Sequence, residues 1–567
     1  MRDSTKIIGI HDNHNAAVCL LEDGVIRFAI QEERLNGIKN YNGFPHQALN
    51  VTLEHNNLDV EDIDLFTFSF KHNPPQRTKE ELLQWYRLSE KNSSNLIELF
   101  RQSPLFTLYK QRNRKKRLKH MKKAGIPEKK AVFTDHHLTH AASAYYGSFY
   151  DKGDNTLVLT LDGGGDGLCS TVSTAKNGRI NRIAETREGN SLGELYAYTT
   201  FCLGMSPLEH EYKLMGMAPY TKKDYFSGIY KRLRGIMDVE GLSFKRNSVR
   251  STMYAYPYLK KIYELERFDN ISGAIQRFTE DLIVKWVTNA IHKTKIRNLA
   301  LAGGVFMNVK ANRRIMELDD VDNLYVFPSS GDESCAIGSA YQAYAGICQE
   351  NGGDVEIKPT EGIYYGLQYS DSDIESGLEG YGLDYCREKN IEKSISEELA
   401  RNNIVARFYG RNEWGSRALG NRSILANASN FLNINKLNNA IKMRDFWMPF
   451  APSILEERQH EYLINPKNIK SPYMTMAFNT SEKRGDIIAA IHPKDHSARP
   501  QLVDEEHNAS YHRLLKYYEG LTGYGGILNT SFNLHGQPMV CSPKDALDTF
   551  INSGLEYLAI GNYLVVK

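Results

Sequence analysis

Asp135-His136-His137-Leu138-Thr139-His140-Ala141-Ala142-Ser143-Ala144 is the stretch of this chain whose residue types and spacing best suit chemistry. If it is helical and capped by Asp135, His136 and His140 stand one turn apart on one face, a chelating pair for Zn or Fe. The glutamate of an H-E-x-x-H metalloprotease is missing, so a general base for peptide hydrolysis is missing too. The same residues read equally well as a capped helix whose histidines make ordinary hydrogen bonds. Two carboxylates at strand mouths, Asp162 and Asp332, would complete a His/His/Asp/Asp set. Mixed imidazole and carboxylate ligation suits Fe(II), Mn(II) or Zn(II), and the residues do not choose among them. A cation there, between two phosphate-facing loops, would neutralise charge on a nucleotide.

The second half offers a different chemistry. Gly410–Ser423 interleaves Arg411, Arg417 and Arg422 with Gly, Asn and Ser. Lys442-Met443-Arg444-Asp445, Ser497-Ala498-Arg499-Pro500 and Asn529-Thr530-Ser531-Phe532-Asn533 supply further cations and hydroxyls. Arg holds phosphate or carboxylate with two parallel N–H groups. Singly these are surface residues; set in turns together, they read as a small oxyanion pocket. His492 and His496 also sit four apart, but Pro493 between them breaks a shared helical face, so both are read as loop residues.

The elements that must position these groups show a repeated pattern. Lys6–Ile10 is a short apolar strand followed by the polar loop His11–Asn15. Ala16–Leu21 and Val25–Ile30 then flank the turn Asp23-Gly24. The order returns with strand Thr156–Leu161, loop Asp162–Gly167, and Leu168–Ala175 and Arg179–Ala184 about Asn177-Gly178. Strand, polar loop and hairpin, twice, is the pattern of the duplicated actin-like or sugar-kinase-like fold, whose two loops hold nucleotide phosphates through backbone N–H groups. Pro74–Val132 is polar and reads as helical, and its basic run Lys110–Lys119 reads as a solvated helix face. Ile275, Phe278, Leu282 and Trp286 recur at helical spacing and predict a core-facing helix. Strands are expected at Asn298–Ala302, running into Gly303-Gly304, and at Leu324–Phe327, running into Ser329–Glu333 and a small-residue helix through Ala336, Gly338 and Ala340.

Bulk properties set the class. At 567 residues the chain exceeds the roughly 250–300 that one core sustains, so two domains are expected, 1–355 and 356–567, divided in the Gly- and Lys-rich stretch Asn351–Pro359. Lys and Arg total 70 against 68 Asp and Glu, which argues against a chain that coats nucleic acid or anionic membrane. No apolar leader opens MRDSTKIIGIHDNH and no run is long enough to span a bilayer. The seven scattered cysteines, never paired as C-x-x-C, read as reduced thiols of a cytoplasmic protein.

Ordered blocks along nearly the whole chain make it resemble the O-carbamoyltransferases of the NodU/CmcH type. These are His11–Ala17, Gln31–Arg34, His136–Tyr146, Leu161–Gly167, Glu211–Gly216, Ala302–Asn308, Gly410–Arg422, Pro449–Ser453 and Asn529–Asn533. The resemblance implies an α/β chain: a duplicated actin-like (ASKHA), TsaD-like N-terminal domain followed by a YrdC-like C-terminal domain. It implies that the second domain binds carbamoyl phosphate through Arg417, Lys442, Arg444, Arg499 and Ser531 and joins carbamate to ATP as carbamoyl adenylate. In the first domain His136, His140, Asp162 and Asp332 would hold the metal, Fe2+ first with Zn2+ or Mn2+ as alternatives. Mg2+ would accompany the ATP. Lys39, Gly164, Lys213, Gly216, Gly303, Gly304 and Asn308 would contact ATP or the adenylate. His14, with Asp12 beside it, matches the base that takes the proton of a hydroxyl on a small acceptor, a sugar or natural product. The family commonly reads His-Asp-Ala where this chain has His14-Asn15-Ala16, and Asn cannot stabilise an imidazolium as a carboxylate does. The relatives suggest a homodimer; neither membrane nor nucleic acid is expected as a partner. Because the mixed anhydride hydrolyses readily, a closed passage is a physical reason to fuse the two domains.

The sequence admits three rival readings. A tRNA threonylcarbamoyl-type enzyme would use Lys110–Lys119 as a phosphate track. A non-catalytic actin-like nucleotide-binding protein would need neither histidine pair nor arginine pocket. A sugar kinase would release ADP rather than AMP.

Overall fold

The computed structural model describes residues 4–72, 76–88, 104–249 and 251–567. Within the polar stretch Pro74–Val132, residues 74–75 and 89–103 lie outside the described residues, as do the side chains of Lys110 and Gln111 in its basic run. The chain divides into two compact units: residues up to Glu32 with Asn40–Thr360, and Glu33–Lys39 with Glu361–Lys567.

In the first unit β1 (Lys6–His11), β2 (Ala17–Glu22) and β3 (Val25–Gln31) form an antiparallel meander. β4 (Leu65–Phe68) runs parallel to β1, and β5 (Ala131–Phe133) parallel to β4, giving the order β3-β2-β1-β4-β5. The chain then repeats the scheme. β6 (Thr156–Gly165), β7 (Leu168–Lys176) and β8 (Arg179–Arg187) form a second meander. After a separate hairpin of β9 (Met237–Glu240) and β10 (Ser243–Arg246), β11 (Asn298–Ala302) pairs parallel to β6 and β12 (Asn323–Val326) parallel to β11. The order β12-β11-β6-β7-β8 matches the first sheet strand for strand and direction for direction. Both meander turns put two consecutive residues in the left-handed region: Asp23 (φ 47) with Gly24 (φ 76), and Asn177 (φ 49) with Gly178 (φ 68). That backbone twist suits a two-residue hairpin, and Asp-Gly and Asn-Gly adopt it at low cost.

One expectation is corrected. Asp162–Gly167 is not a free loop: β6 continues to Gly165, and its pairing with β7 slips between Leu161 and Gly165. Only Asp166 (φ 51) and Gly167 (φ 90) turn the chain. A bulge re-aims side chains that regular alternation would send elsewhere, and here the slipped stretch includes Asp162.

Helix Phe268–Thr294 buries Ile275, Phe278, Leu282 and Trp286 completely, each at 0% exposure. Helix Ser334–Glu350 lies hard against β1 and helix His136–Gly147. A Cβ on Gly9 would stand 1.9 Å from the Ala336 carbonyl oxygen, and one on Gly338 1.9 Å from that of Thr139. Along helix Pro104–Lys123, Arg112, Arg114, Lys115, Lys116 and Lys119 are exposed, as a solvated face requires. Asn113, Arg117 and Met121, four apart, form its buried side.

The second unit is built on one mixed sheet. Its strands are β13 (Asp384–Arg387), β14 (Val405–Phe408), β15 (Arg422–Ala426), β16 (Ala451–Leu455), β19 (Gln501–Val503), β20 (Gly526–Ser531), β21 (Tyr557–Ile560) and β22 (Tyr563–Val566). The order is β13-β22-β21-β14-β15-β20-β16-β19, while β17 (Leu463–Ile464) and β18 (Asn479–Thr480) pair separately. Helices Ile391–Ala400 and Glu505–Thr522 cover the sheet through a core that includes Ile395, Leu399, Val405, Tyr511, Leu514 and Ile527. Among the described residues no helix is long and apolar enough to cross a membrane. All seven cysteines are free thiols.

Candidate metal and anion sites

Asp135 caps helix His136–Gly147, its Oδ1 accepting the Leu138 N–H at 2.9 Å. One turn apart on this helix, His136 and His140 are both fully buried. The His136 ring stacks on Phe70 with centroids 4.3 Å apart, and its other flank is open only because residue 165 is glycine. A Cβ there would stand 2.1 Å from His136 Cδ2. Asp162 projects from the bulge of β6, and Asp332 from the loop before helix Ser334–Glu350. His136 Nε2 lies 3.4 Å from Asp162 Oδ2 and 3.6 Å from Asp332 Oδ1, and His140 Nε2 lies 3.6 Å from the latter. One donor atom from each of the four falls within 4.8 Å of every other.

The electrostatics suit a divalent cation. Burial lowers the ionisation range of His140 and keeps the imidazole neutral. Burial and the Asp162 charge push Asp332 above the usual carboxylate range, while Asp162, against the pull of burial, is held below it by His136 and the neighbouring histidines. His140 Nε2 is buried with no hydrogen-bond partner, an atom that costs free energy unless something accepts its lone pair. Two imidazole nitrogens and two carboxylates that resist sharing one site are a donor set that Fe(II), Mn(II) or Zn(II) would fit.

The loop after β1 approaches this cluster. His11, buried, has Nδ1 at 2.7 Å from Ser69 Oγ and Nε2 at 2.9 Å from the His14 carbonyl oxygen, and lies 3.8 Å from Asp332. His14 is half-buried, and its N–H donates to Asn13 Oδ1 at 2.8 Å. Asp12 binds elsewhere: both its oxygens accept from Arg117, Nε and Nη2 each at 2.7 Å, in a fully buried pair. Asn15 adopts a left-handed backbone (φ 60), and its amide donates to Glu333 Oε2 at 3.3 Å. A carboxylate at position 15 would face Glu333 with like charge.

The residues assigned to the nucleotide divide into groups. Gly164 lies on the β6 bulge, and Gly303 and Gly304 follow β11, where the Gly304 N–H donates to Asp162 Oδ1 at 3.1 Å. Asn308 caps helix Val309–Met316 through the Ala311 N–H at 3.1 Å and donates to Gln276 at 3.0 Å. Lys213 and Gly216 stand on the short helix Glu211–Met217. Lys39 is not with them: it lies in the segment grouped with the second unit, where its charge bears on Lys442.

In that second unit a cation cluster forms. Lys442 is buried, and its Nζ donates to the Ser531 carbonyl and, at 2.8 Å, to Asn533 Oδ1. Arg444 donates to Thr530 Oγ1 at 2.9 Å and to the Pro449 carbonyl at 3.0 Å. Burial, with Arg444 and Lys39 nearby, drives Lys442 well below the usual lysine range. Burial with Arg417 and Arg444 does the same to Arg499. Ser531 Oγ faces the same cluster, 3.3 Å from Lys442 Nζ. The sequence-assigned Arg417, Lys442, Arg444, Arg499 and Ser531 are thus brought together, with Lys39 added. Such a crowd of cations is stabilised by a bound polyanion.

The carbamoyltransferase N-terminus family model matches residues 6–341, and the carbamoyltransferase C-terminus model residues 396–567. The chain belongs to the carbamoyltransferase family. It is 30% identical to protein sll1178 of Synechocystis sp. over 99% of this chain and 97% of that one. It is 29% identical to nodulation protein NolNO of Sinorhizobium fredii over 98% of this chain and 79% of that one. Among solved structures, component A of the Acidaminococcus fermentans (R)-2-hydroxyglutaryl-CoA dehydratase aligns at 12% identity with a TM-score of 0.34, over 60% of this chain and 97% of that one.

Two residues that brace the loops of this carbamoyltransferase, Arg117 and Glu413, escaped sequence reasoning, and two arginines read into the oxyanion pocket are tied elsewhere. Arg117 sits in a basic run, and only its place in the 113, 117, 121 spacing marks it as inward-facing. Glu413 Oε1 accepts three backbone N–H groups, from Leu419, Asn421 and Arg422 at 2.8–3.0 Å, and so shapes the loop that presents Arg417. Arg422, read as part of the oxyanion pocket, is instead buried over Phe408, and it donates to the Tyr409, Leu367 and Gly410 carbonyls. Arg411 likewise donates to the Gly366 and Tyr365 carbonyls. Of the three arginines in Gly410–Ser423, Arg417 alone joins the cation cluster.

Proposed function

We propose that this carbamoyltransferase is ATP-dependent and carbamoylates a hydroxyl of a small molecule, a sugar or natural product, through carbamoyl adenylate. The observation that carries the reading is the cluster of Lys39, Arg417, Lys442, Arg444 and Arg499, whose mutual repulsion is relieved by a ligand as anionic as carbamoyl phosphate with ATP. In this reading the second unit is YrdC-like and the first actin-like; the repeated strand order supports the latter.

The residues support the following steps. In the cation cluster water attacks the carbamoyl carbon of carbamoyl phosphate, the C–O bond to phosphate breaks, and phosphate and carbamate result. The carbamate oxygen then attacks the α-phosphorus of ATP, and pyrophosphate leaves. The half-buried imidazole of His14 takes the proton of the acceptor hydroxyl as its oxygen attacks the carbamoyl carbon, and AMP leaves with the bond electrons. His11 holds that loop by its bond to the His14 carbonyl, and Arg117 anchors it through Asp12. Gly164, Lys213, Gly216, Gly303, Gly304 and Asn308 would line the adenylate. His136, His140, Asp162 and Asp332 would hold a divalent cation, Fe(II) with Zn(II) or Mn(II) as alternatives, whose charge would offset that of the anhydride phosphate.

Incubation of the purified enzyme with ATP, carbamoyl phosphate and a panel of hydroxylated metabolites, with mass spectrometry of the products, tests the reading. Pyrophosphate, AMP and an acceptor heavier by one carbamoyl group are expected, and His14→Asn should release pyrophosphate without transferring. ADP as the nucleotide product, or no pyrophosphate at all, would refute it.

A further inference from the structure

The first turn of helix Ser334–Glu350 does more than follow Asp332. Its first two residues, Ser334 and Cys335, are both fully buried and lie behind the two histidines of the donor cluster. Ser334 Oγ lies 3.3 Å from His140 Nδ1. Cys335 Sγ lies 3.9 Å from His136 Nδ1, a distance suited to a weak hydrogen bond to sulfur. Each imidazole is therefore gripped at Nδ1 by consecutive side chains of one helix, while its Nε2 faces Asp332. The helix packs closely on the histidine helix here: a Cβ on Gly338 would stand 1.9 Å from the Thr139 carbonyl oxygen.

We propose that Ser334 and Cys335 are positioning residues that fix both histidines as Nδ1–H tautomers, so that both Nε2 lone pairs converge with Asp162 and Asp332 on a divalent cation. This rests on the metal reading given above. An imidazole that donates from Nδ1 presents its Nε2 lone pair and is held in ring orientation. His140 Nε2, buried without a partner, is the lone pair so exposed. Cys335 also lies close enough to His136 and His140 to form a second three-donor grouping with them. It meets His136 on the Nδ1 side, however, away from the carboxylates. The thiol is thus placed to support a ligand and not to be one. Loss of such outer partners in metal sites weakens affinity by roughly 10–100-fold.

The test uses the full chain, stripped of metal and titrated with Co(II) while its d–d absorption is followed. Ser334→Ala and Cys335→Ala should each weaken Co(II) binding by about 10–100-fold, with thermal unfolding checked to confirm that both fold. Cys335→Ser, which keeps an acceptor, should lose less than Cys335→Ala. In 15N-histidine-labelled metal-free protein, the ring nitrogen shifts should report Nδ1–H tautomers for His136 and His140, and mixed tautomers for the histidine behind which the partner was removed. Wild-type protein with Nε2–H tautomers, or alanine variants that bind Co(II) within twofold of wild type, would overturn the positioning role while leaving the metal reading intact. Failure of the wild type to bind Co(II) would overturn both.

Discussion

Replacing Arg117 by methionine asks whether Asp12 acts on substrate or holds the loop that carries His14. Methionine keeps the length and packing of the side chain but removes the three donors that reach Asp12 Oδ1, Asp12 Oδ2 and the Phe70 carbonyl. With charge centres about 4 Å apart and an effective dielectric near 20, the attraction lost is about 4 kcal/mol. The Asp12 carboxylate left behind is 0% exposed, and breaking a buried pair in this way costs about 3–5 kcal/mol. With roughly 2 cal/mol/K of unfolding entropy per residue, a unit of this size should unfold about 5 °C lower by differential scanning calorimetry. Asp12→Asn combined with Arg117→Met should cost less than the sum of the two single changes, because no charge then remains unpaired. Well below the unfolding temperature, both single variants should lose transfer to a similar degree while keeping pyrophosphate release. If Asp12→Asn loses over a hundredfold more transfer than Arg117→Met, Asp12 touches the reacting atoms and the anchoring argument fails.

Glu211, pushed up to about 7 by burial, keeps its proton when folded across a pH range in which the unfolded chain has released it. Stability should therefore fall as pH rises from about 4.5 to 7, by up to about 3 kcal/mol, and stay low above that window. Glu211→Gln should unfold at a higher temperature than wild type at pH 8 and at the same temperature near pH 4; equal melting at both values would refute the shift. Gly165→Ala places a methyl 2.1 Å from the His136 ring and should displace that proposed ligand. Its divalent-metal content by mass spectrometry should fall at least tenfold with the fold intact by circular dichroism, and normal loading would show that the ring has room to move.

Much of the first unit was legible because it depends on local rules. Asp-Gly and Asn-Gly between apolar runs predict left-handed turns, and both hairpins follow. Asp135 before an alternation of small residues and histidines predicts a cap, and the cap bond forms. The core-facing stripe of helix Phe268–Thr294 is a matter of period alone. What stayed hidden depends on distant partners. The β6 bulge arises because Gly165, not Asp162, pairs next with β7, and no pattern inside Asp162–Gly167 announces that register. Arg117 is one inward cation among outward ones, and its partner lies 105 residues away. Arg411 and Arg422 share residue type and neighbours with Arg417, yet they are tied to carbonyls of Tyr365, Gly366, Leu367, Tyr409 and Gly410. Side-chain direction within an irregular loop is set by Glu413, which collects three backbone amides and leaves no motif in the sequence.

The seven residues Glu33–Lys39 make the second unit a composite of two stretches of chain. Arg34, from this segment, is buried and donates to the Gly415 carbonyl, beside the loop that presents Arg417. A polypeptide beginning at residue 361 would lack that guanidinium and the Lys39 ammonium, so the loop that presents Arg417 would be missing a brace and the cation cluster a charge. Recombination that swaps the halves between relatives would have to carry this short ribbon along with the distal half, and separate expression of that half calls for the ribbon to be added as a peptide.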